Sequence, residues 1–335
     1  MDKFIPALVD LSFGNYIPLM AISLILLIGG ADKLLDATQD LAKRFGTSEF
    51  IIGLTIVALG TSLPEIFVGI QSVSKGTENL AMGAIVGSNI SNIALIFGVA
   101  CIGREIYTKK NITSKRQYIP LITSAVLLGL FLYSDNIITP IEAMFIFLVL
   151  PVFLYVIYSD RSIGMMIEDE SDESKQKNVL WSLIILVISF VALYFGSEGV
   201  VLAGKGMGEV FQISEIVIGL IVVAIGTSLP ELAVTIGAIM KKRTDVVVGN
   251  VIGSNVLNIV LVVPIIGVFG SGNNLDPILF ERDFFVMIML TIFFALFVFL
   301  QSKKNIFKNV KLIKFGGYLF VAVYILYILN LANIF

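Results

Sequence analysis

Two carboxylates, Glu65 and Glu231, fall inside long apolar runs, and each closes the same hexapeptide: Gly60-Thr61-Ser62-Leu63-Pro64-Glu65 recurs letter for letter as Gly226-Thr227-Ser228-Leu229-Pro230-Glu231. Charge at bilayer depth is costly and is kept where it meets a partner or an ion. Each glutamate stands beside two hydroxyls, so the chemistry on offer is capture of a cation by oxygen. A second polar interruption follows in each run, Gly83 to Asn92 and Gly249 to Asn258. Within it Ser88 and Asn92, and likewise Ser254 and Asn258, are four residues apart, which puts a hydroxyl and an amide oxygen on one helix face. The glycines permit close backbone approach. With no histidine and a single cysteine, Cys101, the chain has no disulfide framework, no cysteine metal cluster and no histidine proton shuttle. Hard cations with oxygen ligands remain: Ca²⁺, Mg²⁺ or Na⁺. No nucleophile with an attendant base is evident, so the chain does not read as an enzyme, and nothing in it implies a cofactor.

The elements that must carry these groups are membrane helices. Hydrophobic residues make up 57% of the chain and charged residues 14%, with a mean hydropathy of +0.96, against roughly 25% charged in a soluble domain. Apolar stretches of spanning length predict an all-α polytopic membrane protein with ten helices, near 16–36, 49–74, 79–103, 118–134, 137–158, 179–203, 213–240, 245–270, 281–301 and 314–334. With both termini outside, 19 of the 23 lysines and arginines fall in inside segments, as the positive-inside rule requires. The first residues lack the basic region and cleavage site of a secretory signal, so the first span is expected to stay.

Shifting the chain by 166 residues aligns Ser48–Leu95 with Ser214–Leu261 without a gap, and 23 of the 48 positions are identical. The shift covers five expected spans, an odd number, so the second copy enters the membrane in the opposite sense. Inverted repeats of this kind bind substrate at the midplane. The expected organisation is a first half, 1–158, with its repeat at about 48–98; an acidic inside linker, 159–178; and a second half, 179–335, with its repeat at about 214–264. The linker, including Asp160 to Glu173, reads as a solvated tether. Proline removes a backbone donor and suits a first helical turn, so the first broken helix is expected to end near Leu59 and restart at Pro64. That would free carbonyls at Ala58 and Ala224 to face an ion, since irregular backbone survives at this depth only around a cavity. Ser48-Glu49 and Ser214-Glu215 read as helix N-caps, and Asn89 and Asn255 as helix-packing residues. Ser88 and Ser254 could also serve close packing. Asp32 and Glu198, equivalent under the shift, read as interfacial, water-facing acids, with a gate or proton relay as the alternative. Cys101 and Trp181 read as apolar, lipid-level or interface residues.

The paired hexapeptides and the Gly-Ser-Asn-x-x-Asn segments resemble the two α-repeats of the sodium/calcium exchanger family, within the cation/calcium antiporter superfamily, in a prokaryotic form without a large regulatory loop. The resemblance implies two inverted five-helix halves around central ion sites. Carried over by position, it makes Glu65 and Glu231 shared Ca²⁺ ligands. Thr61, Thr227, Ser62, Ser228, Ser88, Ser254 and the carbonyls of Ala58 and Ala224 would serve Na⁺ or Ca²⁺, and Asn92 and Asn258 the middle position. Potassium-dependent relatives often carry aspartate where this chain has Asn258, which argues against K⁺. Proton-coupled relatives show Gly-Asn-x-x-Glu, where this chain has Gly249-Asn250 and then Ile252-Gly253. The resemblance thus implies about three Na⁺ exchanged per Ca²⁺, electrogenically, by alternating access. The expected partners are the two ions and the lipid bilayer, with no nucleic acid and no obligatory protein partner; the expected location is the plasma (inner) membrane. A proton/calcium antiporter, a K⁺-dependent antiporter and, as a different class, a cation channel with the same oxygens as a filter remain alternatives.

Overall fold

Apolar segments in lipid must satisfy their backbone groups internally, and the chain does so by helix. The computed structural model describes residues 13–47, 49–76, 78–103, 115–159, 179–211, 226, 228–270, 272, 274–302 and 310–331, and among these there is no strand. The order is α1 (Phe13–Phe45), α2 (Glu49–Ile52), a π-helical segment (Gly53–Val57), α3 (Ala58–Thr61), α4 (Leu63–Lys75) and α5 (Glu78–Ser91). A π segment (Asn92–Phe97) leads into α6 (Gly98–Gly103), followed by α7 (Tyr118–Asp135), α8 (Pro140–Phe147), α9 (Val149–Ser159) and α10 (Val179–Val210). Then come α11 (Leu229–Met240), α12 (Thr244–Leu257), a π segment (Asn258–Val262), α13 (Val263–Phe269), a further π segment (Leu279–Phe284), α14 (Phe285–Ser302) and α15 (Val310–Leu331). Eight helical stretches are long and apolar enough to cross a membrane, and two shorter apolar helices, Tyr118–Ser134 and Leu229–Met240, lie at two further expected spans.

Local signals account for several boundaries. Thr139 caps α8 with a reciprocal capping box to Glu142, and Pro140 opens the helix. Gly76 ends α4 in the left-handed conformation, φ 66°. Helix α1 runs well past the expected 16–36, to Phe45, because Leu27, Ala31, Leu34, Leu35, Thr38 and Leu41 keep a buried stripe going at helical spacing. The linker 160–178 and the proposed caps at Ser48 and Ser214-Glu215 lie outside the described residues.

The expected gap between half-helices is a single-residue turn. Ser62 (φ −83°, ψ 2°) joins α3 to α4, its N–H still donating to the Ala58 carbonyl at 3.0 Å while its own carbonyl accepts from Ile66 N–H at 3.2 Å. Ser228 (φ −93°, ψ 6°) repeats the turn, accepting from Leu232 N–H at 3.0 Å. A proline deletes only its own donor, and the carbonyl that loses its partner lies four residues back. That carbonyl belongs to Gly60, not to Ala58. In the second copy it belongs to Gly226, whose carbonyl accepts the Ser197 hydroxyl at 2.5 Å.

Two contacts position the rest. Helix α12 presses its glycines against α2 and α3: a Cβ on Gly253 would lie 2.2 Å from the Leu54 carbonyl oxygen and 2.6 Å from the Ala58 Cβ. At the other end of α11, the Lys241 ammonium donates to the Asp32 carbonyl at 2.9 Å and pairs with Asp32 and Asp36 carboxylates at 2.8 and 2.5 Å. Arg243 adds a bond to the Leu35 carbonyl. These clasp α1 to the α11–α12 turn. Asp32 is an ion-paired acid, its side chain 48% exposed, in keeping with the interfacial reading. Trp181 is exposed, as expected, but Cys101 is fully buried and faces α15 rather than lipid, since Gly317 approaches it closely. Phe97 anchors α14 and α15 to the α5–α6 helix through edge-on contacts to Phe294, Phe297 and Phe320.

Candidate functional site

Proline at the second residue of α4 and of α11 starts each helix abruptly, so the glutamate that follows falls in its first turn, where the backbone N–H groups favour negative charge. Glu65 and Glu231 are 2% and 1% exposed, and close enough for the charge of Glu65 to act on Glu231. Glu65 Oε1 accepts from the Ser88 hydroxyl at 2.9 Å. Glu65 Oε2 and both carboxylate oxygens of Glu231 have no close hydrogen-bond partner, although the Thr61 hydroxyl faces Glu231. Buried carboxylate oxygens in this condition call for a proton or a cation.

Neutral oxygens surround the pair. Thr61, Ser62, Ser88, Ser228, Ser254, Asn92 and Asn258 are all at most 2% exposed. Thr61 Oγ1, from the first repeat, lies 3.5 Å from Ser254 Oγ of the second. The Ala58 carbonyl lies 3.4 Å from the Thr61 hydroxyl but already accepts the Ser62 N–H, so it borders the site as a shared acceptor rather than a freed one. Ser62 Oγ and both side-chain atoms of Asn92 are unpartnered. Thr227 and Ala224 lie outside the described residues.

The amide of Asn258 is oriented by Asn89, whose Oδ1 accepts from Asn258 Nδ2 at 3.1 Å, leaving Asn258 Oδ1 unpartnered. Asn89 also donates to the Asn255 carbonyl at 3.2 Å, and Asn255 Nδ2 to the Val251 carbonyl at 2.6 Å. The packing role read for Asn89 and Asn255 therefore holds, with a link across the two repeats added. Asn92 and Asn258 each open a π segment; such bulges recur at functional sites, and apolar periodicity gives no warning of them. Among the described residues no group of three or more His, Cys, Asp or Glu gathers, so the two glutamates stand as charges in a shell of neutral oxygens.

Two residues here escaped a search built on the repeat. Asn250 Oδ1 is 3.4 Å from Thr61 Oγ1, yet its equivalent is Ala84; Ser91, whose equivalent is Leu257, lies 2.5 Å from Ser228 Oγ. When Ser91 donates to the Ser88 carbonyl at 3.1 Å, Ser228 donates to Ser91 and keeps its own lone pairs available. Ser91→Ala is therefore expected to leave the fold intact but weaken cation binding about tenfold, the lower end for groups that orient a ligand. Titration of purified protein with Ca²⁺ and Na⁺, followed by thermal melting, checks this; binding equal to wild type would rule the role out.

Known proteins give an independent comparison. The sequence profile described as "Sodium/calcium exchanger protein" matches residues 15–159 and 181–332. The chain is 33% identical over 294 residues to the inner membrane protein YrbG of Escherichia coli (strain K12), covering 85% of this chain and 89% of that one. It is 29% identical over 321 residues to the sodium/calcium exchanger MaX1 of Methanosarcina acetivorans, covering 85% and 91%. Its fold is similar to that of the sodium-calcium exchanger NCX_Mj, solved after soaking with Na⁺ and Sr²⁺, with a TM-score of 0.76 at 26% identity, over 94% of this chain and 98% of that one.

Proposed function

Because the chain belongs to the sodium/calcium exchanger family, and is thereby an integral membrane antiporter of cations including Ca²⁺ rather than an enzyme, we propose that it exchanges Ca²⁺ for Na⁺ by alternating access, with about three Na⁺ moved per Ca²⁺ as is usual in that family. Ten spans, arranged as inverted halves 1–158 and 179–335 joined by the acidic linker, form the scaffold. The site lies where Pro64 and Pro230 interrupt their helices. The protein resides in the inner membrane, as its similarity to YrbG supports, with both termini outside.

One observation carries this reading: two fully buried glutamates, one from each repeat, of whose four oxygens three have no close hydrogen-bond partner. Two such charges balance one Ca²⁺. Three Na⁺ bring one charge more, which the low-dielectric interior tolerates only when the ions spread over neutral oxygens. Glu65 and Glu231 are then shared by both ions at different times, Thr61, Thr227, Ser62, Ser228, Ser88, Ser254 and the carbonyls of Ala58 and Ala224 serve Na⁺ or Ca²⁺, and Asn92 and Asn258 hold the middle. Because both loads need the same carboxylates, they exclude each other, and exclusion makes exchange obligatory.

The test is Ca²⁺ uptake into vesicles containing the purified protein. Uptake is expected only with Na⁺ inside, to reverse with the Na⁺ gradient, and to respond to membrane voltage. Flux that persists with no Na⁺ on either side would discard Na⁺ coupling. Dependence on a proton gradient instead would favour the proton/calcium antiporter, and a reversal potential at the Ca²⁺ equilibrium value a channel.

A further inference from the structure

The oxygens around Thr61 are spaced for an ion rather than for one another. Thr61 Oγ1 lies 3.4 Å from the Ala58 carbonyl oxygen, 3.4 Å from Asn250 Oδ1 and 3.5 Å from Ser254 Oγ. All four residues are at most 1% exposed. A good O–H···O bond spans about 2.5–3.0 Å, so the hydroxyl of Thr61, buried from water, makes no close bond with any of these three neighbours. A cation about 2.4 Å from each ligand, the middle of the range for Ca²⁺, holds neighbouring oxygens set at right angles about 3.4 Å apart. Mg²⁺, at about 2.0–2.1 Å, would draw them to about 2.9 Å. The cluster thus has the spacing of a shell for a cation of Ca²⁺ or Na⁺ size, already assembled.

Its charge chooses between those two. The carbonyl, two hydroxyls and amide are neutral and the Thr61 hydroxyl also faces Glu231, so one nearby carboxylate balances a monovalent ion but leaves a divalent one, whose desolvation cost is about four times larger, half compensated. We propose that Asn250 is a fourth oxygen ligand of a Na⁺ subsite centred on Thr61. The exchanger reading supplies the identity of the ion, and the inference rests on it to that extent. The close approach of α12 to α3 at Gly253 brings the amide there. The duplicated chain places Ala84 where Asn250 would be, so the first repeat has no counterpart of this amide.

The experiment is a Na⁺ and a Ca²⁺ titration of purified full-length protein, read by thermal stabilisation, for wild type, Asn250→Ala and Asn250→Asp. Alanine stands natively at position 84, so the helix geometry accepts it. Asn250→Ala is expected to raise the Na⁺ midpoint about tenfold and to leave the Ca²⁺ midpoint unchanged. Asn250→Asp, which keeps the oxygen and adds charge, is expected to lower the Na⁺ midpoint, and it tests the assignment by itself if the alanine variant fails to fold. An unchanged Na⁺ midpoint in either variant, equal shifts for both ions, or no stabilisation of wild type by Na⁺ would overturn it. Vesicles that move Ca²⁺ without Na⁺ would defeat the exchange reading instead, leaving the Na⁺ midpoints to judge Asn250 separately.

Discussion

Glu65→Gln and Glu231→Gln should each abolish Na⁺-driven Ca²⁺ uptake in vesicles while the protein still folds and inserts. Glutamine keeps the shape of the side chain but removes one of two buried charges, so Ca²⁺ would carry an uncompensated positive charge into a site closed to water. Breaking a buried charge pair costs about 3–5 kcal/mol, a loss of roughly two to four powers of ten in affinity. Stability without ions should move the other way. The poorly partnered oxygens of Glu231 burden the empty protein, and a neutral amide relieves part of that burden, so the variants should melt no lower than wild type in ion-free buffer. Uptake at the wild-type rate by both variants would remove the carboxylates from the centre of the mechanism.

Gly253→Val should be nearly as damaging from a position that supplies no ligand. Its Cβ would stand 2.2 Å from the Leu54 carbonyl oxygen, too close for any side-chain adjustment to relieve, because the obstacle is backbone. Helix α12 must retreat by about 1 Å, taking Asn250 and Ser254 away from Thr61, and displacement of that size costs about a hundredfold where groups must converge. Overpacking also lowers stability by about 1–3 kcal/mol. Melting temperature and uptake measured together check this, and a variant with normal values of both would show that the close approach is dispensable.

Much of the site could be read from the chain because duplication marked it. Glu65, Ser88, Thr61 and Ser254 each have an identical counterpart 166 residues away, and all four are buried, Ser88 bonded to Glu65 and Ser254 beside Thr61. The same signal hid Asn250 and Ser91, which matter where the two copies differ. The Ala58 carbonyl was assigned by looking before the break, whereas a missing proline donor acts four residues back, at Gly60. The π segments at Asn92 and Asn258 were invisible because an extra residue in a turn leaves an apolar run apolar. Cys101 reads only as apolar, lipid-level or interface, because hydropathy cannot distinguish a helix face covered by α15 from one covered by acyl chains. The length of α1 was missed for a related reason: beyond Asp32 the stripe stays buried though the sequence turns polar.

The clasp between α1 and the α11–α12 turn has a mechanical consequence. Lys241 grips Asp32 and Asp36, one turn apart on α1, and Arg243 holds the Leu35 carbonyl between them, so that end of α1 is tied to the turn. Helix α11 carries Glu231 nearly three turns from Lys241, and α12 carries Asn250 about two turns from Arg243, on the other arm of the same hairpin. A tilt of α1 that kept these contacts would carry the hairpin with it, moving the Glu231 carboxylate and the Asn250 amide together.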